Sequence, residues 1–286
     1  MEGLKFDRID IEEATRLEEV FTEEEVFSVL SDLNGEKALG PDGFYLSFCQ
    51  FNWDFVNEEV MGFLKEFHEH CRFVRSLNST FLVLIPKNPG MEDLRDFRMI
   101  SLVGGLYKLL AKVLANRLKK VVGKVVSSAQ NAFVEGRQIL DAALIANEAI
   151  DSLLKRNESG VLCKLDIEKA YDHLNWNFLL FVMQRMGFGE KWIGWISWCI
   201  FTSTFLVLIN GTPAGFFNSS RGLRQGDPLS PYLFVIGMEA LSRLIFRAVR
   251  EGGYLSGCKI KEKSGDEVLV SHLLFADDTL VFCEAS

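Results

Sequence analysis

The sequence predicts an α+β fold. Apolar series at helical spacing recur along the chain, and short β-branched or aromatic runs bounded by turn residues lie between them. A hydrophobic share of 48% over 286 residues is ample for a packed core and excludes a disordered chain. The formal charge of −8 argues superficially against a nucleic-acid partner, but it is unevenly placed. Met1 to Gly35 carries eleven acids against three bases, so the remainder is neutral overall. Between Arg98 and Val134 there is no Asp or Glu, while Arg98, Lys108, Lys112, Arg117, Lys119, Lys120 and Lys124 are all basic. That window reads either as a phosphate-facing surface or as a solvated helix face with an apolar back.

Six cysteines without CxxC spacing read as reduced core thiols of an intracellular protein. The acidic N-terminus has no apolar signal segment, so secretion is not expected. Trp192 to Ser220 is uncharged and long enough to cross a bilayer. Its Gly194, Ser197, Thr202, Ser203 and Thr204, and the turn at Asn210-Gly211, read instead as a buried helix ending near Phe201 and a strand from Phe205 to Ile209, with no membrane partner.

In chain order, Thr22 precedes Glu23-Glu24-Glu25 and the series Val26, Phe27, Val29, Leu30, Leu33, a helix with Glu25 placed to complete a capping box. Asn34-Gly35 ends it, and the loop Gly40-Pro41-Asp42-Gly43 has glycines that permit close approach of backbone to a ligand, or is a plain connector. Asn52 to Phe73 reads as an amphipathic helix on which His68 and His70 are surface residues. Thr80 to Ile85 is a strand ending in Pro86-Lys87; after a loop, Asp96 to Leu102 leads into a long helix through Tyr107, Leu110, Val113, Leu114 and Leu118. Lys87 and Arg98 flank the loop as isolated cations, either a triphosphate clamp or surface charges. Gln130 to Arg137 breaks the chain before a helix from Gln138 to Arg156 carrying Ile139, Leu140, Leu144, Ile145 and Ile150.

Three later segments carry the chemistry. The strand Val161 to Asp166 delivers a carboxylate at its end, where such a group holds a metal or caps the next helix. Ser219 to Pro231 is a rigid polar lead, rich in Gly, Pro and Arg, into the apolar helix Tyr232 to Phe246. Ser271 to Cys283 reads as a hairpin with Asp277-Asp278 at its tip. Side chains alternate along a strand, so two adjacent Asp meet only at a turn, either in ordinary polar surroundings or on a hard cation such as Mg²⁺. Asp166 with that tip would supply the carboxylate cluster that a two-ion phosphoryl displacement needs.

The ordered set resembles the reverse transcriptase domain of LINE-type, non-LTR retrotransposons, especially the plant kind. The matching residues are Gly40-Pro41-Asp42-Gly43, Leu84-Ile85-Pro86-Lys87, Asp96-Phe97-Arg98 with Ile100-Ser101-Leu102, Ala111 to Leu118, Gln130-Asn131-Ala132-Phe133 and Gly136-Arg137-Gln138-Ile139. They continue with Lys164-Leu165-Asp166, Lys169-Ala170-Tyr171-Asp172, Gly222 to Pro231 and Phe275-Ala276-Asp277-Asp278. The resemblance implies a right-hand polymerase: an acidic N-terminal helical segment over 1–35, fingers over 36–160 and a palm over 161–286, with the thumb absent. It implies an RNA-directed DNA polymerase that adds dNTPs to a DNA primer 3′-hydroxyl on an RNA template. Asp166, Asp277 and Asp278 would hold two Mg²⁺ ions, or Mn²⁺, with the Ile167 carbonyl as an extra donor. Lys87 and Arg98 would touch the triphosphate, Tyr171 would gate the sugar unless it is a core aromatic, and Gln225 and Gly226 would line the nucleotide and template pocket.

Leu39, Met99, Glu135 and His173 depart from the family's usual residues, and Met99 frees backbone that proline would fix beside Arg98. The sequence stops at Ser286, just past the hairpin. On the resemblance, the thumb, the endonuclease and an RNase H or zinc knuckle would belong to the rest of a polyprotein, and processive synthesis by this piece is expected to be weak. The alternative is a truncated, non-catalytic relic or a co-opted nucleic-acid-binding module of the same fold. A palm-type nucleotidyl cyclase would share the paired carboxylates but leaves Gly222 to Pro231 unexplained.

Overall fold

The computed structural model describes residues 3–251, 253–261 and 267–284. The N-terminal helices are α1 (Ile11–Leu17), α2 (Glu23–Asp32), α3 (Leu46–Phe51) and α4 (Trp53–His70). Strands β1 (Ser79–Pro86) and β2 (Phe97–Val103) follow, then α5 (Gly105–Val125), α6 (Ile139–Arg156) and β3 (Gly160–Asp166). Next come α7 (Ala170–His173), α8 (Trp176–Arg185), α9 (Glu190–Phe201), β4 (Thr204–Ile209) and β5 (Thr212–Asn218). The chain ends with α10 (Ser230–Arg250), β6 (Cys258–Lys261), β7 (Glu267–Val270), β8 (His272–Phe275) and β9 (Asp278–Glu284). Among the described residues no helix is long and apolar enough to cross a membrane. All six cysteines are free thiols; Cys199 and Cys258 are buried, whereas Cys163 is exposed rather than in a core.

Two compact units divide the chain: Met1–Ile9, Lys119–Ala170 and Pro231–Ser286 form one, Asp10–Leu118 and Tyr171–Ser230 the other. The second holds a four-stranded sheet, ordered β2-β1-β4-β5. β1 runs antiparallel to β2 and parallel to β4, a pairing that requires the long crossover between them. Its core is aromatic: Phe67 lies 5.6 Å from both Phe73 and Trp195, and Phe21 lies 5.3 Å from Trp195. Thr22 caps α2 by accepting from the Glu25 N–H, but the reciprocal half of the expected box is not made. The Glu25 carboxylate is taken by Arg117, whose Nε and Nη2 donate to it at 2.8 and 2.6 Å. Arg117 also donates to the carbonyls of Leu17, Glu19 and Val20, so this member of the basic window is a buried brace and not a phosphate ligand.

The first unit contains a three-stranded sheet, β3-β9-β8, and the ribbon β6-β7. Its core cluster joins Ala142, Ala146 and Ala149 of α6 to Cys258, Ile260, Leu273 and Phe282. The buried stripe of α6 is therefore its alanines, while Leu140 and Leu144 of the expected apolar series are exposed. Small side chains let the helix approach the strands closely, and helical periodicity puts the neighbouring leucines on the far side. Glu135 pairs with Lys119 at 3.3 Å, which removes another cation from the basic window.

Candidate active site

The carboxylates come together through strand register. β3 and β9 pair antiparallel from Gly160↔Glu284 to Asp166↔Asp278, so Asp166 stands directly opposite Asp278. β8 and β9 form the hairpin, closing at Phe275↔Asp278, with Ala276 and Asp277 as its two-residue loop. Ala276 adopts φ 55°, a left-handed conformation that glycine usually fills in such loops. Asp166 is exposed, and Asp277 and Asp278 are half-buried; Ile167 follows the end of β3.

Residues 129–132 support this hairpin from outside. Leu274 donates its N–H to the Ala129 carbonyl at 2.7 Å and accepts from the Asn131 N–H at 2.8 Å. The buried Gln130 Oε1 accepts from the Ala276 N–H at 3.2 Å and the Ala132 N–H at 3.0 Å. Gln130 thus fixes the strained turn residue beside Asp277. Sequence reading quoted Gln130 within a motif but gave it no role, because a link across 146 positions has no local signature.

Lys164 stands in the Lys164-Leu165-Asp166 run, but its sequence position gave it no role. It lies on β3 two residues before Asp166, hence on the same face, and its Nζ is 3.1 Å from Asp278 Oδ1. As donors, three carboxylates suit a hard divalent ion, and the register places two of them opposite each other. Among the described residues no group of three or more His, Cys, Asp or Glu is already disposed to hold a metal. The Lys164 ammonium forms an ion pair with Asp278.

The other predicted residues lie in the second unit. Lys87 and Arg98 are exposed near the β1–β2 turn: Arg98 pairs with Ile85, the Lys87 N–H donates to the Asp96 carbonyl at 2.8 Å, and Lys87 Nζ donates to the Arg95 carbonyl at 3.0 Å. Gln225 and Gly226 run beside the free edge of β2, where Ser101 N–H donates to the Gln225 carbonyl at 2.8 Å. Gly226, at φ 102°, is required there, since a Cβ would stand 3.0 Å from the Ser101 carbonyl oxygen. Tyr171 opens this unit's second stretch, and its carbonyl accepts from Leu223 N–H at 2.8 Å.

Flanking Gln225 and Gly226 are two buried charges. Arg224 and Asp227 pair at 2.7 Å, with side chains only 6% and 3% exposed. Arg224 Nη1 donates to Asn78 Oδ1 at 2.7 Å, and the Tyr107 hydroxyl donates to Asp227 Oδ2 at 2.7 Å. Burial, with Asp227 beside it, pushes the Tyr107 phenol well above its ordinary range, so it stays a donor. The special residues of the Gly222 to Pro231 segment therefore anchor a short exposed step, Gln225-Gly226, on a buried ion pair.

The reverse transcriptase (RNA-dependent DNA polymerase) family matches residues 85–286. A Xenopus laevis protein of transposon TX1, described as an uncharacterized 149 kDa protein, is 28% identical over 269 residues, 94% of this chain and 20% of its own length. A retrovirus-related Pol polyprotein from a type-1 retrotransposable element R2 of Nasonia vitripennis is 27% identical over 247 residues, 86% of this chain and 22% of its own. The chain thus spans about a fifth of the length of these relatives. Among solved structures, telomerase from Candida tropicalis in complex with a fragment of telomeric RNA is similar in fold, with a TM-score of 0.50 and 16% identity over 85% of this chain and 40% of that one. The chain belongs to the reverse transcriptase (RNA-dependent DNA polymerase) family.

Proposed function

We propose that this domain adds deoxynucleotides to the 3′-hydroxyl of a DNA primer on an RNA template, by in-line phosphoryl displacement at a two-ion site. The supporting observation is the opposition of Asp166 and Asp278 across β3 and β9, with Asp277 in the adjoining turn. Like charges directly opposite on a ladder disfavour folding unless a cation lies between them, and all-oxygen donors favour Mg²⁺ or Mn²⁺. Asp166, Asp277 and Asp278 would hold the ions, with the Ile167 carbonyl as a further donor. When bound, the ions supply charge neutralisation at the transferring phosphoryl group.

The protein's own groups do the positioning. Lys87 and Arg98 project from an exposed hairpin as fixed cations for the triphosphate oxygens. Gln225 and Gly226 present backbone and a short polar side chain to the nucleotide and template, and Tyr171 excludes a 2′-hydroxyl beneath the sugar. In functional terms, residues 36–160 act as fingers and 161–286 as palm, behind an acidic lead over 1–35. Since the relatives are several times longer, other steps of an element's life cycle fall to other domains of such polyproteins.

A second reading is a non-catalytic nucleic-acid-binding module of the same fold. One observation favours it: the Lys164–Asp278 pair already neutralises a carboxylate of the site. Addition of a single dNTP to a DNA primer annealed to RNA decides between them. Mg²⁺-dependent incorporation is expected, falling by about 10²–10³-fold or more in Asp277→Ala; equal background in both proteins would sink the polymerase reading.

A further inference from the structure

Two runs singled out in the sequence have no part in the nucleotide chemistry proposed above: Gln130-Asn131-Ala132-Phe133 and Gly136-Arg137-Gln138-Ile139. Both lie in the first unit, together with Asp166, Asp277 and Asp278. The half-buried Arg137 guanidinium donates to four carbonyls: through Nη1 to Ser127 at 2.5 Å and Gln130 at 2.7 Å, and through Nη2 to Gly123 and Val126, each at 3.4 Å. The Nη2 pair closes the end of α5, where a helix leaves carbonyls without partners. The shorter Nη1 pair has a different result, since it folds residues 127–130 around one cation. Ser127 is also held from α10: its N–H donates to Glu239 Oε2 at 2.9 Å, and its hydroxyl lies 2.9 Å from Ser242 Oγ. The segment so fixed delivers the Gln130 side chain, 1% exposed, to the hairpin turn.

The Gln130 amide is only half used there. The Ala276 and Ala132 N–H groups both meet the same amide atom, which assigns it as the oxygen. Nε2 is then a buried donor with no hydrogen-bond partner among the described residues. Such a donor is costly to leave unpaired in an interior, and a brace for the Ala276 backbone alone has no use for it. Nε2 shares its carbon with Oε1, so it stands at the turn whose next residue is Asp277. Carboxylates that hold an ion are themselves oriented by outer hydrogen bonds.

We propose that Gln130 and Arg137 are positioning residues for the Asp277 carboxylate. Oε1 fixes the backbone of the turn, Nε2 is the donor to the carboxylate when an ion is held, and Arg137 fixes where Gln130 stands. This deepens the two-ion reading and rests on it. The test uses the full chain with Mn²⁺ alone, free of nucleotide and nucleic acid, and reads bound ion from the electron paramagnetic resonance spectrum. The parent is expected to bind Mn²⁺ and Asp277→Ala to bind it more weakly. Gln130→Leu is expected to raise the Mn²⁺ Kd about 10- to 100-fold. Arg137→Lys keeps the charge but loses the planar fork, and is expected to raise it by a smaller factor. Hydrogen exchange of the Ala276 amide in EDTA is expected to quicken in both variants. Urea titration verifies folding, and the half-buried Arg137→Lys reports even where Gln130→Leu does not fold. Unchanged Mn²⁺ affinity in either folded variant, with stability alone lowered, overturns the inference and makes the pair plain braces. No Mn²⁺ binding by the parent, or binding undiminished in Asp277→Ala, overturns the two-ion reading itself and this inference with it.

Discussion

Ala276 holds a backbone conformation that costs a non-glycine residue about 1 kcal/mol, and Gln130 is what repays it. Replacing Gln130 by leucine strands the half-buried Ala276 and buried Ala132 N–H groups, so a loss of about 1–3 kcal/mol is expected in chemical denaturation. Lys164 makes the opposite kind of contribution, offsetting repulsion between Asp166 and Asp278 on an exposed face. Lys164→Met is expected to lower unfolding free energy in EDTA by no more than about 1 kcal/mol, and to gain more from millimolar Mg²⁺ than the parent does. Equal Mg²⁺ responses would speak against cation binding by those acids. A third case is His272, buried between Ser242 Oγ at 2.8 Å and Ser271 Oγ at 2.9 Å, where burial lowers its pKa to about 4. The unfolded chain binds that proton near pH 6.5 and the folded chain does not. Stability from the neutral ring is thus present above pH 6.5 and lost as pH falls towards 4, by up to about 3 kcal/mol. Glu239, held above its usual range by burial and paired with Arg243, works in the opposite sense, so the comparison is with His272→Gln, whose melting temperature falls less steeply over that window. None of these three roles was legible in the sequence. Each depends on tertiary contact or burial, whereas the positions of Asp166 at a strand end and Asp277-Asp278 at a hairpin tip follow from local pattern.

At the scale of elements, what was readable was what local periodicity and turn residues decide. The strand and turn at Phe205 to Gly211, the break at Gln130 to Arg137 and the Asp-Asp hairpin all lie where composition puts them. Failures came where tertiary contact overrides pattern: α6 turns its alanines inward, and Arg117 leaves the expected basic surface to brace α1 and α2. The segment from Gly222 to Pro231 was recognised as rich in special residues, but its buried centre was not foreseen. Asp227→Ala would leave the Arg224 guanidinium uncompensated in the interior, and a loss of about 3–5 kcal/mol is expected in urea titration. Gly226→Ala is milder in stability, about 1–2 kcal/mol for the positive φ and the Ser101 contact, yet it moves the Gln225 step and is expected to raise KM for dNTP more than it lowers thermal stability.

Across the whole molecule, motif order was enough to point to the family, because the motifs are local even when the fold that unites them is not. The division into compact units could not be read that way, since each is stitched from separated stretches. β3 carries an opposed carboxylate and exposed Val161, Leu162 and Leu165, yet its hydrogen-bonding partner β9 is encoded about a hundred residues later. At roughly 5–20 residues per second, a ribosome needs on the order of ten seconds to supply that partner. Throughout this interval the nascent polypeptide exposes a sticky, half-satisfied strand to its neighbours, so birth and not maturity is its period of greatest exposure to aggregation and to chaperones.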